Sequence, residues 1–244
     1  MSSDNSRSFS KSNLDHYFDH YFYELSKTYK KLGGKKMPAE IILIGGAAII
    51  ENYGFRDMTT DIDAIIHASS VMDEAIKQVG DQFDLPYGWL NSDFMKTSSY
   101  SKSLIKYASF YKVFNQVLTV RTVSAEYLIA MKLRSGRKYK NDLSDIIGIL
   151  AEHEAKGDLI TFEHIDTAIR NLYGSWDVIP EDSVKFINDT LSNGDYGALY
   201  SIVRQGEAEA KEILIEFQDD YPKVLNENNM EDILKRLKEK RNDN

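Results

Sequence analysis

The sequence predicts an α/β (α+β) fold: a small mixed β-sheet with flanking helices, followed by a helical C-terminal region. Short β-branched runs bounded by glycine, proline or polar residues recur as far as Thr122, helix-period stripes lie between them, and beyond Glu154 the pattern is wholly helical. Two of the β-like runs frame a Gly-Gly pair and an Asp-x-Asp triplet, which gives the sheet a chemical face as well as a shape.

Residues 1–12 are serine-rich and polar and are expected to be disordered. A helix should follow from about Leu14 to Leu32, because Phe18, Tyr21, Phe22, Leu25, Tyr29 and Leu32 share one stripe, and Gly33-Gly34 closes it. Its His16 and His20 stand one turn apart without an adjacent third ligand and are not read as a metal site. Ile41–Ile44 suits a buried strand, and Ala47–Ile50 a short helix entered through Gly45-Gly46. The run Asp61–Ile66 forms the next strand, and Ser69-Ser70 can cap a helix over about 71–80. Pro86 opens an irregular stretch. Phe110–Val113 and Gln116–Thr122, separated by Phe114-Asn115, read as a hairpin completing the sheet.

Further helices follow. Leu143, Ile146, Ile147 and Leu150 form a stripe that Asp142 and Asp145 flank; Val184, Ile187 and Leu191 mark a helix begun at Pro180. Ala210, Ile213, Leu214 and Phe217 mark another, and Met230, Ile233, Leu234 and Leu237 a last one. The expected organisation is a core with its N-terminal helix over 13–155 and a helical region over 156–244, divided near Lys156-Gly157-Asp158.

The chemistry follows from residue type. Glycines at a helix start let a ligand approach the backbone, and unpaired N–H groups with the helix dipole favour an anion, so Gly45 and Gly46 read as a phosphate seat. The two-residue period of a strand sends Asp61 and Asp63 to one face. Adjacent carboxylates repel unless a cation lies between them, and hard oxygen donors beside phosphate favour Mg²⁺ or Mn²⁺.

Composition sets limits. The chain has 244 residues, 42% hydrophobic, enough for a real core, and a formal net charge of −8, which opposes a general electrostatic grip on nucleic acid. Lys132, Arg134, Arg137, Lys138 and Lys140 nevertheless form a local basic cluster sufficient for a triphosphate. No cysteine is present, which excludes thiol catalysis, disulfides and thiolate zinc sites. No run reaches membrane-spanning length and no signal peptide is visible at the start, so a soluble cytoplasmic protein with no membrane partner is expected.

Gly45, Gly46, Asp61 and Asp63 together resemble the signature of the nucleotidyltransferase superfamily that includes DNA polymerase beta. Arg56 and Thr59 precede Asp61 as in the Arg-x-x-Thr-x-Asp-x-Asp variants of the AbiE-type abortive-infection nucleotidyltransferases and their uncharacterised bacterial relatives. Glu126 to Leu133, then Arg137 and Asp142-Leu143-Ser144-Asp145-Ile146, are similar to two further elements of that group, as is Tyr87-Gly88-Trp89-Leu90-Asn91; the likeness covers roughly residues 38 to 155. The resemblance implies a nucleotidyltransferase core that moves a nucleoside monophosphate from an NTP to a hydroxyl acceptor: a tRNA or other RNA end, a protein or a small molecule. It implies Asp61 and Asp63 as metal ligands and, with Lys132, as catalytic residues. Gly45, Gly46, Arg56, Thr59, Lys132, Arg137, Asp142 and Asp145 would bind the nucleotide. It also brings a toxin role with a cognate antitoxin into view. Without the resemblance, Lys132 on its helix reads as a solvated surface residue, Asp142 as a helix-start acid and Asp145 as a surface charge. The family's third carboxylate has no counterpart in Val117–Thr122; Glu126, Asp142 and Asp145 are the alternatives, and a catalytically inactive nucleotide- or partner-binding module is the competing class.

Overall fold

The structure, a computed structural model, describes residues 9–53, 55, 58, 59, 61–226 and 229–242. They divide into two compact units, Met1–Leu128 with Asp166–Gly174, and Ile129–Ile165 with Ser175–Asn244. The segment Lys156-Gly157-Asp158, expected as a boundary, lies inside the second unit.

The first unit contains, in chain order, β1 (Phe9–Ser10), α1 (Lys11–Lys31), β2 (Ala39–Leu43), α2 (Gly45–Asn52), β3 (Met58–Thr59), β4 (Ile62–His67), α3 (Val71–Phe83), β5 (Leu90–Asn91), β6 (Ala108–Phe114) and β7 (Leu118–Val123). The main sheet is mixed, with strand order β5-β4-β2-β7-β6. Strand β2 runs antiparallel to β4 and parallel to β7, while β5 runs parallel to β4. Successive residues Ile41, Ile42 and Leu43 are all fully buried, as are Ile62, Ala64 and Ile65. A strand covered on both faces needs an unbroken apolar run rather than alternation, which Ile41–Leu43 supplies in β2, while the half-buried Asp63 interrupts β4.

Helix α1 lies against the sheet and α3: Phe22 meets Phe114 at 5.9 Å and Tyr21 meets Phe83 at 5.5 Å between ring centroids. It begins at Lys11 rather than near Leu14, because β1 before it finds backbone partners in β3, Phe9 opposite Thr59. Residues 9–12, expected to be disordered, thus belong to β1 and α1, and residues 1–8 lie outside the described residues. Ser70 makes no side-chain cap for α3. The Ser69 hydroxyl instead bonds the buried Tyr29 hydroxyl at 2.8 Å, tying the helix start to α1.

The β6–β7 hairpin is present, but its turn falls one residue later than the sequence suggests. Asn115 (φ 47) and Gln116 (φ 59) are both left-handed, the primed turn that matches strand twist, while Phe114 stays in the ladder opposite Leu118. The ladder also shifts register between Phe110 and Lys112, a bulge at the sheet's outer strand.

The helices α4 (Ala125–Ser135) and α6 (Phe162–Tyr173) each contribute residues to both units. The second unit contains α5 (Asp142–Ala155), α7 (Glu181–Asn193), α8 (Tyr196–Asp220) and α9 (Met230–Asn242). Ala210, Ile213, Leu214 and Leu234 form a small apolar cluster in it, with Met230, Ile233 and Leu237 packed against them. The helical C-terminal region therefore has the stripes expected of it, with α6 as a helix the sequence reading did not identify.

Candidate functional site

The turn from β2 into α2 brings the first glycine against an aspartate. Gly45 has φ +58, and a Cβ built on it would stand 3.2 Å from Asp63 Oδ2. A side chain at this position is therefore both strained and crowded. The Ile44 N–H donates to the Asp63 carbonyl at 3.0 Å, which fixes the two chain segments side by side. Helix α2 starts at Gly45-Gly46 with no side-chain cap from its N-cap residue Ile44, so its positive dipole end lies beside the Asp63 carboxylate. An anionic ligand with a bound cation suits such a place: the amides meet the anion and the carboxylate meets the cation.

Asp61 sits in the bend before β4, half-buried like Asp63, rather than within the strand. Its Oδ2 accepts a hydrogen bond from Asn91 Nδ2 at 3.3 Å, and Asn91 pairs with Asp63 in the β4–β5 register. The sequence reading named Asn91 only as part of a resemblance and assigned it no role. Its signal is a polar amide directly after the buried Trp89-Leu90 pair, where a short strand ends beside the aspartates.

Two carboxylates with phosphate oxygens are a sufficient donor set for Mg²⁺, which keeps waters and uses few protein ligands. Among the described residues no group of three or more His, Cys, Asp or Glu is gathered as a metal site. Strand β7 supplies no carboxylate: Thr122 stands opposite Leu43, and the next residue, Val123, is fully buried. Arg121, on the same strand, pairs with Glu40 at 3.3 Å. Glu126 accepts a hydrogen bond from the Ser124 hydroxyl at 3.0 Å near the start of α4. Arg56 lies outside the described residues, and of Thr59 only the backbone, paired with Phe9, is described.

The second unit gathers the remaining candidates. Ile129 to Leu133 of α4 are all buried, and Lys132 with them at 8% exposure, so its ammonium needs partners. Asp145 Oδ2 lies 2.7 Å and Asp142 Oδ1 3.2 Å from its Nζ. Arg137 Nε donates to Asp142 Oδ2 at 2.8 Å. Lys132 is thus an ion-paired interior residue, not the solvated one its helix position suggests. Asp142 and Asp145 likewise point inward, and Leu143 is the more exposed residue of that turn. Burial alone would raise the Asp142 carboxyl, but Lys132 and Arg137 outweigh it and hold the group well below the usual carboxylate range.

Glu207 of α8, a residue the sequence reading passed over, caps α5. It accepts the Leu143 N–H at 2.9 Å, the Ser144 N–H at 3.2 Å and the Ser144 hydroxyl. Burial pushes its carboxyl up to about 7, against those bonds, which favour the charged form. A glutamate in step with Ala210 and Leu214 on an apolar stripe was the available signal. The predicted basic cluster is largely taken up internally: Lys138 pairs with Asp182, and Arg134 donates to the Val178 carbonyl.

No curated protein and no solved structure matches the chain. Residues 20–172 match a family model described as a nucleotidyltransferase of unknown function (DUF6036), a span that holds both glycines, both aspartates of the Asp-x-Asp and the Lys132 cluster. With more than half of its length within that model, the chain belongs to this nucleotidyltransferase family.

Proposed function

We propose that the protein is a metal-dependent nucleotidyltransferase that transfers a nucleoside monophosphate from an NTP to a hydroxyl. The observation that carries this reading is the close approach of Gly45 to the Asp63 carboxylate at an uncapped helix start, 3.2 Å from a Cβ position to Oδ2. In this scheme Gly45 and Gly46 orient the triphosphate through backbone N–H groups, and Asp61 and Asp63 hold Mg²⁺ or Mn²⁺. The cation, when bound, offsets charge on the phosphoryl oxygens. The acceptor oxygen bonds to the α-phosphorus as the bond to the bridging oxygen breaks; pyrophosphate leaves with that electron pair, and the hydroxyl proton passes to solvent or a base.

The likeness to AbiE-type proteins supports a toxin role with a cognate antitoxin, and the cysteine-free sequence supports a cytoplasmic setting. Among the described residues no helix is long and apolar enough to cross a membrane. The likeness also assigns nucleotide binding to Arg56, Thr59, Lys132, Arg137, Asp142 and Asp145, with Lys132 as a phosphate contact. Lys132→Ala tests this: a fall of at least about tenfold in NTP binding or transfer, with Lys138→Ala unchanged, upholds it.

The decisive experiment incubates the protein with each labelled NTP, Mg²⁺ and total RNA or cell lysate. Label on one macromolecule identifies the acceptor. Strand β7, which carries no carboxylate, favours a second reading, a nucleotide-binding module without turnover. Mg²⁺-dependent NTP binding with no pyrophosphate release over a broad acceptor panel upholds that alternative.

A further inference from the structure

We infer that Asn91 is a positioning residue for Asp61, so that the candidate metal site is built by the β4–β5 pair and not by β4 alone; this rests on the reading of Asp61 and Asp63 as cation ligands. Asp61 precedes the first ladder residue of β4, so strand pairing does not by itself fix its side chain. Immediately after it, the Ile62 N–H donates to the Trp89 carbonyl at 2.8 Å, which brings the start of β5 alongside. Asn91 then reaches back to Asp61 from one residue beyond Leu90.

The Asn91 amide is committed at both ends. Its Oδ1 accepts the Asp93 N–H at 2.9 Å, and its Nδ2 donates to the Gly88 carbonyl at 3.1 Å and to Asp61 Oδ2 at 3.3 Å. Reversing the amide would set its oxygen against two acceptors, so the donor faces Asp61 of necessity. Behind it the chain is anchored. Trp89 is buried with its indole N–H on the Ile76 carbonyl at 3.0 Å, and the Trp89 N–H closes a turn onto the Pro86 carbonyl at 2.9 Å, with Gly88 at φ +75 inside that turn.

The choice of group is informative. A lysine or arginine here would orient Asp61 equally well but cancel one negative charge and repel a cation. A carboxylate would repel Asp61 in the unliganded protein. A neutral amide orients the carboxylate and leaves the charge of the Asp61–Asp63 pair intact, which is what a divalent-cation site requires.

Binding of Mn²⁺ to the full chain, followed by the loss of the free-Mn²⁺ paramagnetic resonance signal, tests the inference directly. Asn91→Ala should weaken Mn²⁺ binding at least fivefold and raise the Mg²⁺ concentration for half-maximal transfer by the same factor, with kcat recovering at saturating Mg²⁺. Asn91→Ser, whose hydroxyl can still accept the Asp93 N–H but is too short to reach Asp61, should do the same; it serves if the alanine variant does not fold. Ser92→Ala, the neighbour outside this network, should leave binding unchanged. Wild-type Mn²⁺ affinity in a folded Asn91→Ala or Asn91→Ser protein overturns the role of Asn91 alone. Absence of Mn²⁺ binding by the wild type, both alone and with a non-hydrolysable NTP analogue, overturns the metal assignment of Asp61 and Asp63, and the positioning role with it.

Discussion

The aspartates of the first unit and those of the second share a residue type and differ in nearly everything that decides what a carboxylate does. Asp61 and Asp63 are half-buried beside a helix start and an amide. Asp142 is 2% exposed and enclosed by Lys132 and Arg137. One pair is half-buried at the end of a sheet; the other is enclosed with the buried Lys132 and bonded by the partly exposed Arg137. The contrast separates the proposed cation site from an ion-paired interior cluster, and each side makes a different prediction.

The largest effect belongs to the first pair. Asp61→Asn and Asp63→Asn should each lower transfer by at least about a thousandfold, about 4 kcal/mol of barrier, with the thermal midpoint unchanged or slightly raised. A label-transfer assay beside thermal unfolding checks both halves. Near-wild-type transfer at saturating Mg²⁺ removes the metal assignment.

The second pair should behave the opposite way. Asp142→Ala leaves the buried Lys132 with Asp145 alone and should lower unfolding free energy by about 3 kcal/mol. Lys138→Ala breaks only the exposed pair with Asp182 and should change stability by less than about 1 kcal/mol. Denaturant unfolding of the two variants measures the gap, and equal effects would erase the distinction between the clusters.

Gly45→Ala sharpens the comparison from the ligand side. A Cβ at φ +58, 3.2 Å from Asp63 Oδ2, should displace that carboxylate and weaken Mg²⁺–NTP binding about tenfold, about 1.4 kcal/mol, as measured by calorimetric titration. Gly157→Ala, also left-handed (φ +73) but with nothing within 4 Å of the added carbon, carries the backbone strain without the crowding and should leave binding unchanged.

A last effect is a pH dependence. The native Glu207 carboxyl keeps its proton up to about 7, whereas an unfolded one releases it near 4.5. Between those values the native state binds more protons, so this group makes stability fall as pH rises through the window. Glu207→Gln should flatten that part of the stability profile. Asp142 acts in the reverse sense, its contribution present above its ordinary value of 3.8 and lost as pH falls below it.

The strands that carry the first site were legible because β-branched runs between glycines announce buried strands, and Gly45, Gly46, Asp61 and Asp63 stand at their ends. Strand β5 was not: two residues have no period, and only its pairing with β4 makes Asn91 meaningful. The Lys132 environment was equally hidden, since helix periodicity reports apolar faces and says nothing of a lysine whose partners lie on another helix. Glu207 shows the same limit from the acidic side. Its stripe gave its burial, but the α5 amides it caps come from a turn more than sixty residues earlier in the chain.

The bulge in β6 bears on how the protein behaves among its own copies. This outer strand carries the exposed Phe110 and Val113, the combination that invites another chain to pair along the open edge. The extra residue between Phe110 and Lys112 breaks the straight run of donors and acceptors, and Lys112 sets a charge in its middle, paired with Asp19. The irregularity in the ladder therefore works as a guard against aggregation at the β6 rim of the sheet.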